Sequence, residues 1–266
     1  MTLRCFAECR NSPQETAADI SSLAGWSNDW QLSFNIEKCK RMHIGYGNPC
    51  KEYEMQGHIF DETSEERDLG VTVDHKLKFH AHCTATAGKA FRTLGLIRKS
   101  FQRLDEKTVP ILYKTMVRPI IEYGNVIWGP HYKGDQLLLV RVEHKATRLV
   151  PGLADISYED RLRRLKLPTL EHRRKRGDMI QVFKFVKGFD RVNPSRLFNF
   201  NVDRRTRGHP YKMVKPQAKK PARSNCLSVR SVNSWNSLPA DVVAAETVKS
   251  KLDNHWRGLE YSPSPT

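Results

Sequence analysis

An α+β fold is predicted, with a short head of strands and one helix leading into a mostly helical body. Two observations carry this prediction. After one leading helix the apolar residues repeat with a period near two as far as about residue 75, and from Phe79 onward they repeat at 3.6. The charge divides in the same direction: residues 1–150 hold 21 basic and 18 acidic residues, whereas residues 151–266 hold 24 and 11. The second part therefore carries most of the net +16.

The head begins with a helix at 14–34, because Ile20, Leu23, Trp26 and Trp30 lie three or four apart. A polar turn follows at 35–40, then a strand at 42–46. Residues 53–60, with Gly57 inside, read as a hairpin. An acidic loop at 61–68 precedes a short apolar strand at 69–73. In the body, Phe79, Cys83, Ala87, Ala90, Leu94, Ile97 and Phe101 form one helical stripe, and Val109, Leu112, Tyr113, Met116, Val117 and Ile120 form a second. Pro119 should end or kink that second helix. A third helix covers 137–149 and sets Arg141, Lys145 and Arg148 on one face before Pro151-Gly152 stops it. A short helix at 158–165 comes next, and then one capped by Thr169 that runs to about Lys187. Residues 203–223 hold eight Lys/Arg, three prolines and no acid after Asp203, the composition of an arm that orders on binding. Periodicity returns over 229–256 around Val232, Trp235 and Leu238, is broken by Pro239, and ends in a last helix. The tail at 262–266 is expected to be disordered.

A length of 266 residues with 39% hydrophobic content is ample for a real core. A pI near 9.7 points to a polyanionic partner, with nucleic acid ahead of an anionic membrane. No apolar run reaches the ~18–20 residues of a membrane span, so no membrane partner is expected. The first ten residues lack the apolar segment of a signal peptide, and six cysteines are too sparse for a disulfide scaffold. The expected location is intracellular, in nucleus, cytoplasm or both. Neither a Walker-type phosphate loop nor a Gly-x-Ser-x-Gly elbow occurs, so no small-molecule substrate and no second enzyme are expected.

The stretch from Trp26 through Trp30, Phe34, Asn35, Lys38 and Cys39 to Met42 resembles the fourth palm motif of reverse transcriptases from non-LTR (LINE-type, jockey-like) retrotransposons. Further motifs follow in the same order. Asp68-Leu69-Gly70-Val71, with Leu77-Lys78-Phe79, is similar to the next motif, the primer grip, and the start of the thumb. Leu112-Tyr113-Lys114, Val117-Arg118-Pro119 and Glu122-Tyr123 are similar to thumb helices. Arg148 through Leu153, Ser157 through Leu162 and Val232 through Pro239 resemble the carboxy-terminal region. Each motif alone is weak, but their order along nearly the whole chain is specific.

The departure from the family is as informative as the match. Polymerisation by two Mg²⁺ ions needs carboxylates that hold the ions ~3.5–4 Å apart, and the family supplies them from an Asp-Asp turn and an earlier Asp. This sequence contains no Asp-Asp. The resemblance places that pair just upstream of Met1, together with the fingers and any endonuclease. No cofactor is therefore expected in this fragment, although Mg²⁺ is implied for the complete parent enzyme.

Lys38 matches the lysine of the fourth motif, and the resemblance implies a leaving-group acid in the parent enzyme; the plain alternative is a solvated turn lysine. Leu69, Gly70 and Val71 would seat the primer end. For nucleic-acid contact the sequence nominates Arg161, Arg163, Arg164, Lys166, Arg173, Arg174, Lys175 and Arg176, a run with Glu171 as its only acid, against a solvated helix face. Arg204, Arg205 and Arg207 of the arm join them, with His209 and Tyr211 as stacking groups on RNA, against a nonspecific basic linker. The tryptophans read as core. The scattered Cys and His residues do not make a zinc unit, and no metal site is expected.

The resulting organisation is a palm remnant at 1–75, a helical thumb at 76–150, and a basic helical carboxy-terminal region at 151–266 with its arm at 203–223. The expected function is that of a carboxy-terminal fragment of an RNA-directed DNA polymerase. It would bind RNA template and DNA primer or target and be inactive alone. The alternatives are a domesticated RNA- or DNA-binding module and a non-functional retroelement relic.

Overall fold

A computed structural model describes residues 13–45, 48, 50–201, 208–257 and 261. The chain forms two compact units, Met1–Phe79 and His80–Thr266. The second unit takes in 151–266 and all of the expected 76–150 segment except its first four residues.

The first unit opens with helix α1 (Pro13–Asp29), which buries Ile20 and packs on the strand Glu54–Met55. A single turn of 3₁₀ helix, Ile36–Lys38, follows. Strand β1 (Lys40–Arg41) pairs in parallel with β4 (Asp61–Glu62), while β2 (Glu54–Met55) and β3 (His58–Ile59) form the expected hairpin. Its turn, Gln56-Gly57, has φ of 53° and 79°, as a two-residue type I′ connection requires. The strand expected at 42–46 is replaced by β1 two residues earlier, because Arg41 is where pairing with Glu62 places the ladder. Tyr46 lies outside the described residues.

The acidic segment expected as a loop is strand instead. β5 (Glu65–Asp68) pairs antiparallel with β6 (Val71–Asp74), so that Asp68 faces Val71. Leu69 and Gly70 are therefore not in a strand but form the turn, with φ of 43° and 86°. Glycine meets that geometry without strain, whereas leucine does not. Trp30, expected in the core, is 66% exposed, since α1 ends at Asp29 and the stripe ends with it.

The second unit is helical. Helix α2 (His80–Ser100) buries Cys83, Ala87, Ala90, Leu94 and Ile97, the expected stripe. A loop leads to α3 (Thr108–Leu112), which continues through a π turn at Tyr113–Val117 into α4 (Arg118–Glu122). Pro119 thus neither ends nor sharply breaks the helix. Its ring would collide with the carbonyl four residues back in an α turn, and the wider π turn just before it relieves that collision. Helix α5 (Asn125–Trp128) buries Trp128, whose indole N–H donates to the Tyr123 carbonyl at 2.6 Å. Helix α6 (Lys133–Thr147) packs along α2 and buries Leu139, Val142, Glu143 and Ala146.

Helix α7 (Tyr158–Leu165) starts at Ser157, whose hydroxyl accepts from the Asp160 N–H at 3.2 Å. Helix α8 (Leu170–Val186) starts at Thr169, which accepts from the His172 N–H at 3.2 Å, as expected. A second core then forms from Met179, Val182 and Phe183 of α8. It includes Phe198, next to strand β7 (Asn199–Phe200), and Met213 of β8 (Met213–Val214), which pairs with β7. Helices α9 (Pro221–Ser224), α10 (Leu227–Arg230), α11 (Val232–Asn236), α12 (Ala240–Ala244) and α13 (Val248–His255) complete the unit. Trp235, fully buried, is the largest side chain of this core, and its indole N–H donates to the Tyr211 carbonyl at 2.8 Å.

Candidate nucleic-acid interface

The helices α7 and α8 carry the cations singled out from the sequence, and most of them face the protein's own carboxylates. Arg161 is the plainest correction. It is 2% exposed, donating from Nε to Thr147 Oγ1 at 3.0 Å, from Nη2 to His144 Nδ1 at 3.2 Å, and from Nη1 to the Ile156 carbonyl. A guanidinium spent in this way is a structural brace and does not reach a phosphate. Arg163 pairs with Asp160 at 2.7 Å and Arg164 with Glu106 at 2.8 Å. Arg173 makes a bidentate pair with Glu122 at 2.9 and 2.7 Å. Lys175 pairs with Glu171 at 2.9 Å, and Arg176 makes a bidentate pair with Asp253. Lys166 is exposed in the left-handed position that ends α7. Arg174 has no hydrogen bond or ion pair among the described residues. Arg204, Arg205 and Arg207 lie outside the described residues.

The described part of the expected arm is folded. His209 is 2% exposed and its Nε2 lies 3.0 Å from the Trp235 carbonyl, so it is a core group and is not offered to a base. Tyr211 is partly exposed, with the Lys187 ammonium 5.3 Å from its ring centre.

Another set of cations on α6 is free of carboxylates. Arg141, Lys145 and Arg148 are exposed at spacings of four and three, and none has an ion pair among the described residues. They line a groove of about 480 Å³ with Phe91, Leu137, Val140 and His144, and no acidic side chain lines it. Lys145 lies over the Phe91 ring, 5.3 Å from its centre. Leu137 is 57% exposed, so the groove offers apolar and aromatic surface beside its charge. Seven residues of helix separate Arg141 from Arg148 by about 10 Å. The sequence spacing puts these three residues on one face; their lack of carboxylate partners is a tertiary fact.

Beneath the ridge a buried polar network holds α6 in place. Glu143 is 1% exposed and accepts from the hydroxyls of Tyr113 at 3.0 Å and Tyr158 at 2.5 Å. Burial pushes its carboxyl up to about 7, and the two phenol hydrogen bonds offset only part of that rise. His144 stacks on Tyr158 with centres 3.7 Å apart. Burial, then the charges of Arg161 and Arg148, hold its pKa below the usual value. Its Nδ1 must accept from Arg161, which only donates, so His144 is the neutral Nε2–H tautomer.

In the first unit, Lys38 is exposed at the end of the turn Ile36–Lys38. Leu69 is 84% exposed at the tip of the β5–β6 hairpin, and Val71 is 4% exposed at the start of β6. Among the described residues no group of three or more His, Cys, Asp or Glu is placed to hold a metal ion. Among them, too, no helix is long and apolar enough to cross a membrane.

The motif resemblance is matched by comparison with known proteins. The chain is similar to RNA-directed DNA polymerases of mobile elements of the jockey type. It is 26% identical over 155 residues to the probable RNA-directed DNA polymerase from transposon BS of Drosophila melanogaster, covering 53% of this chain and 16% of that protein. It is 26% identical over 206 residues to the RNA-directed DNA polymerase from mobile element jockey of the same organism, covering 71% of this chain and 21% of that protein. An uncharacterised protein of Caenorhabditis elegans is 26% identical over 110 residues, 40% of this chain and 56% of that protein. The chain thus spans about a fifth or less of the length of the two polymerases. No family model matches the chain, and no solved structure matches it.

Proposed function

We propose that this chain acts as the carboxy-terminal, nucleic-acid-gripping part of an RNA-directed DNA polymerase of a non-LTR retrotransposon, and that it does not polymerise by itself. The observation that carries the reading is the carboxylate-free ridge of Arg141, Lys145 and Arg148 on a chain similar to such polymerases. Cations without internal partners are the ones able to release counterions from a phosphate backbone. Phe91 and Leu137 beside them suit the sugar and base surface of a strand. The partners in the parent enzyme are an RNA template and a DNA primer or target.

The residues present do not fit a pair of Mg²⁺ ions, because the sequence lacks the Asp-Asp pair and the described residues supply no carboxylate cluster. In the complete enzyme Mg²⁺ would bind carboxylates that this sequence does not contain. Lys38, exposed and solvated, would serve there as the leaving-group acid, and the Leu69-Gly70-Val71 hairpin tip would meet the primer end. Leu69 in a left-handed turn supports that role, since a strained, exposed leucine is poorly explained by folding alone.

The test is binding of labelled duplex and single-stranded RNA to the full chain and to its Arg141→Ala, Lys145→Ala, Arg148→Ala triple variant. Affinity should fall about 10- to 100-fold in the variant at ~50 mM salt, with its melting temperature unchanged. Equal affinity of the two proteins would remove the ridge from the interface.

A further inference from the structure

A second basic feature lies in the same unit, where α5, α6, α8 and the segment before α10 enclose a cavity of about 340 Å³. Lys133 and Gln136 enter it from α6, Arg174 and Lys175 from α8, and Arg230 from the end of α10. Two carboxylates also line it, and both are engaged. Glu171 pairs with Lys175 at 2.9 Å. Asp178 accepts from Arg230 at 2.9 and 2.8 Å, and Arg230 is held further by the carbonyls of Asn125, Val126 and Asn225. Gly129 permits this arrangement, since a Cβ there would come within 2.9 Å of Arg230 Nη1.

Arg174 and Lys133 are left over. Neither has a hydrogen bond or ion pair from its side chain among the described residues. Lys133 is exposed at the rim, whereas Arg174 is largely buried; burial holds its pKa below the usual guanidinium value, and the charges of Glu171, Glu143 and Asp178, none in direct contact with it, offset only part of that fall. A largely buried guanidinium is best stabilised by an anion in direct hydrogen-bonded contact, which no carboxylate supplies to Arg174 among the described residues. The fold pairs Arg161, Arg173, Arg176 and Arg230 directly with acceptors, whereas Arg174 lines the cavity without a direct partner among the described residues.

We propose that this cavity receives one phosphate of a nucleic-acid backbone, gripped by the Arg174 guanidinium with Lys133 closing on it from the rim. Phosphate suits the donors, because a guanidinium fork binds two of its oxygens at once and an ammonium adds a point charge. A nucleic acid is favoured as the source by the net +16 of the chain and by the unpartnered ridge on α6. The inference rests on the nucleic-acid reading above and adds to it a discrete anchoring point.

Fluorescence anisotropy on the full chain with labelled duplex DNA and labelled single-stranded RNA tests it, comparing wild type with Arg174→Gln and Lys133→Gln between about 50 and about 200 mM salt. Each variant should bind several-fold more weakly at low salt. Its log–log salt slope should be shallower by about 0.9 on duplex DNA or about 0.7 on a single strand, the value for one lost phosphate contact. Lys133 is exposed, so Lys133→Gln reads the cavity even if Arg174→Gln does not fold. Unchanged slopes in the folded variants, with wild type still binding, would overturn the cavity proposal and leave the α6 ridge standing. Weakened binding of inorganic phosphate in calorimetry with unchanged RNA binding would also overturn it, by assigning the cavity to a free anion. A wild-type chain that binds neither probe would overturn both readings.

Discussion

Glu143 couples three helices through the hydroxyls of Tyr113 and Tyr158, and its burial has a measurable consequence. Its pKa rises from an ordinary 4.5 to about 7 on folding. Between those values the folded state holds a proton that the unfolded state releases. Stability is therefore full at low pH and declines as pH rises through 7, by up to about 3 kcal/mol from this group. Urea unfolding between pH 5 and pH 8 should show that decline, and Glu143→Gln should flatten it. Parallel pH profiles for the two proteins would contradict the assignment. Arg230 makes a different prediction. It satisfies Asp178 and three backbone carbonyls, so Arg230→Ala leaves a buried carboxylate unpaired and should cost about 3–5 kcal/mol, read as a lowered urea midpoint. At this scale the sequence was a poor guide to which cations are free. Glu171 is the only acid within 161–176, yet Glu106, Glu122 and Asp253 arrive from distant segments to neutralise Arg164, Arg173 and Arg176. The buried Cys83, its thiol pushed up to about 12, was by contrast readable from its place on the α2 stripe.

The elements were legible where one face repeats over several turns. The α2 stripe, the Thr169 cap and the Gly57 hairpin all follow from period and turn chemistry. What escaped were features set by pairing. Residues 65–68 are acidic and read as loop, but they form β5 because β6 bonds to them along four residue pairs. The register moves Leu69 and Gly70 into the turn, and this can be tested. Type I′ turns favour Asn-Gly, so Leu69→Asn should relieve strain and raise hairpin stability by ~0.5–1 kcal/mol. The same variant in a longer, active polymerase should lose primer use if the exposed leucine meets the primer. A lowered melting temperature in this chain would show that Leu69 is held by packing instead. Pro119 carried a correct local warning with an unforeseen resolution, since a proline's clash can be absorbed by a π turn as well as by a helix end.

At the scale of the whole molecule, the sequence separates a near-neutral first half from a strongly basic second half, with nucleic-acid contact expected in the second. Ion pairs on α7 and α8 hold most of their cations within the fold. The ridge on α6, in the less basic half by sequence, makes no ion pair among the described residues. Net charge points to the second half of the chain, whereas the proposed ridge lies on α6 in the first. The similarity to RNA-directed DNA polymerases was legible because several weak motifs fall in order along the chain. Their order is a property of the whole molecule that no single motif carries. The central claim is that this chain grips a phosphate backbone through cations that have no internal partners. The most direct measurement is the salt dependence of duplex binding by the full chain. The account predicts that log affinity falls linearly with log salt, with a slope of about −2.7 or steeper from the three α6 cations alone. A flat response, or a slope that the Arg141→Ala, Lys145→Ala, Arg148→Ala variant leaves unchanged, would contradict it.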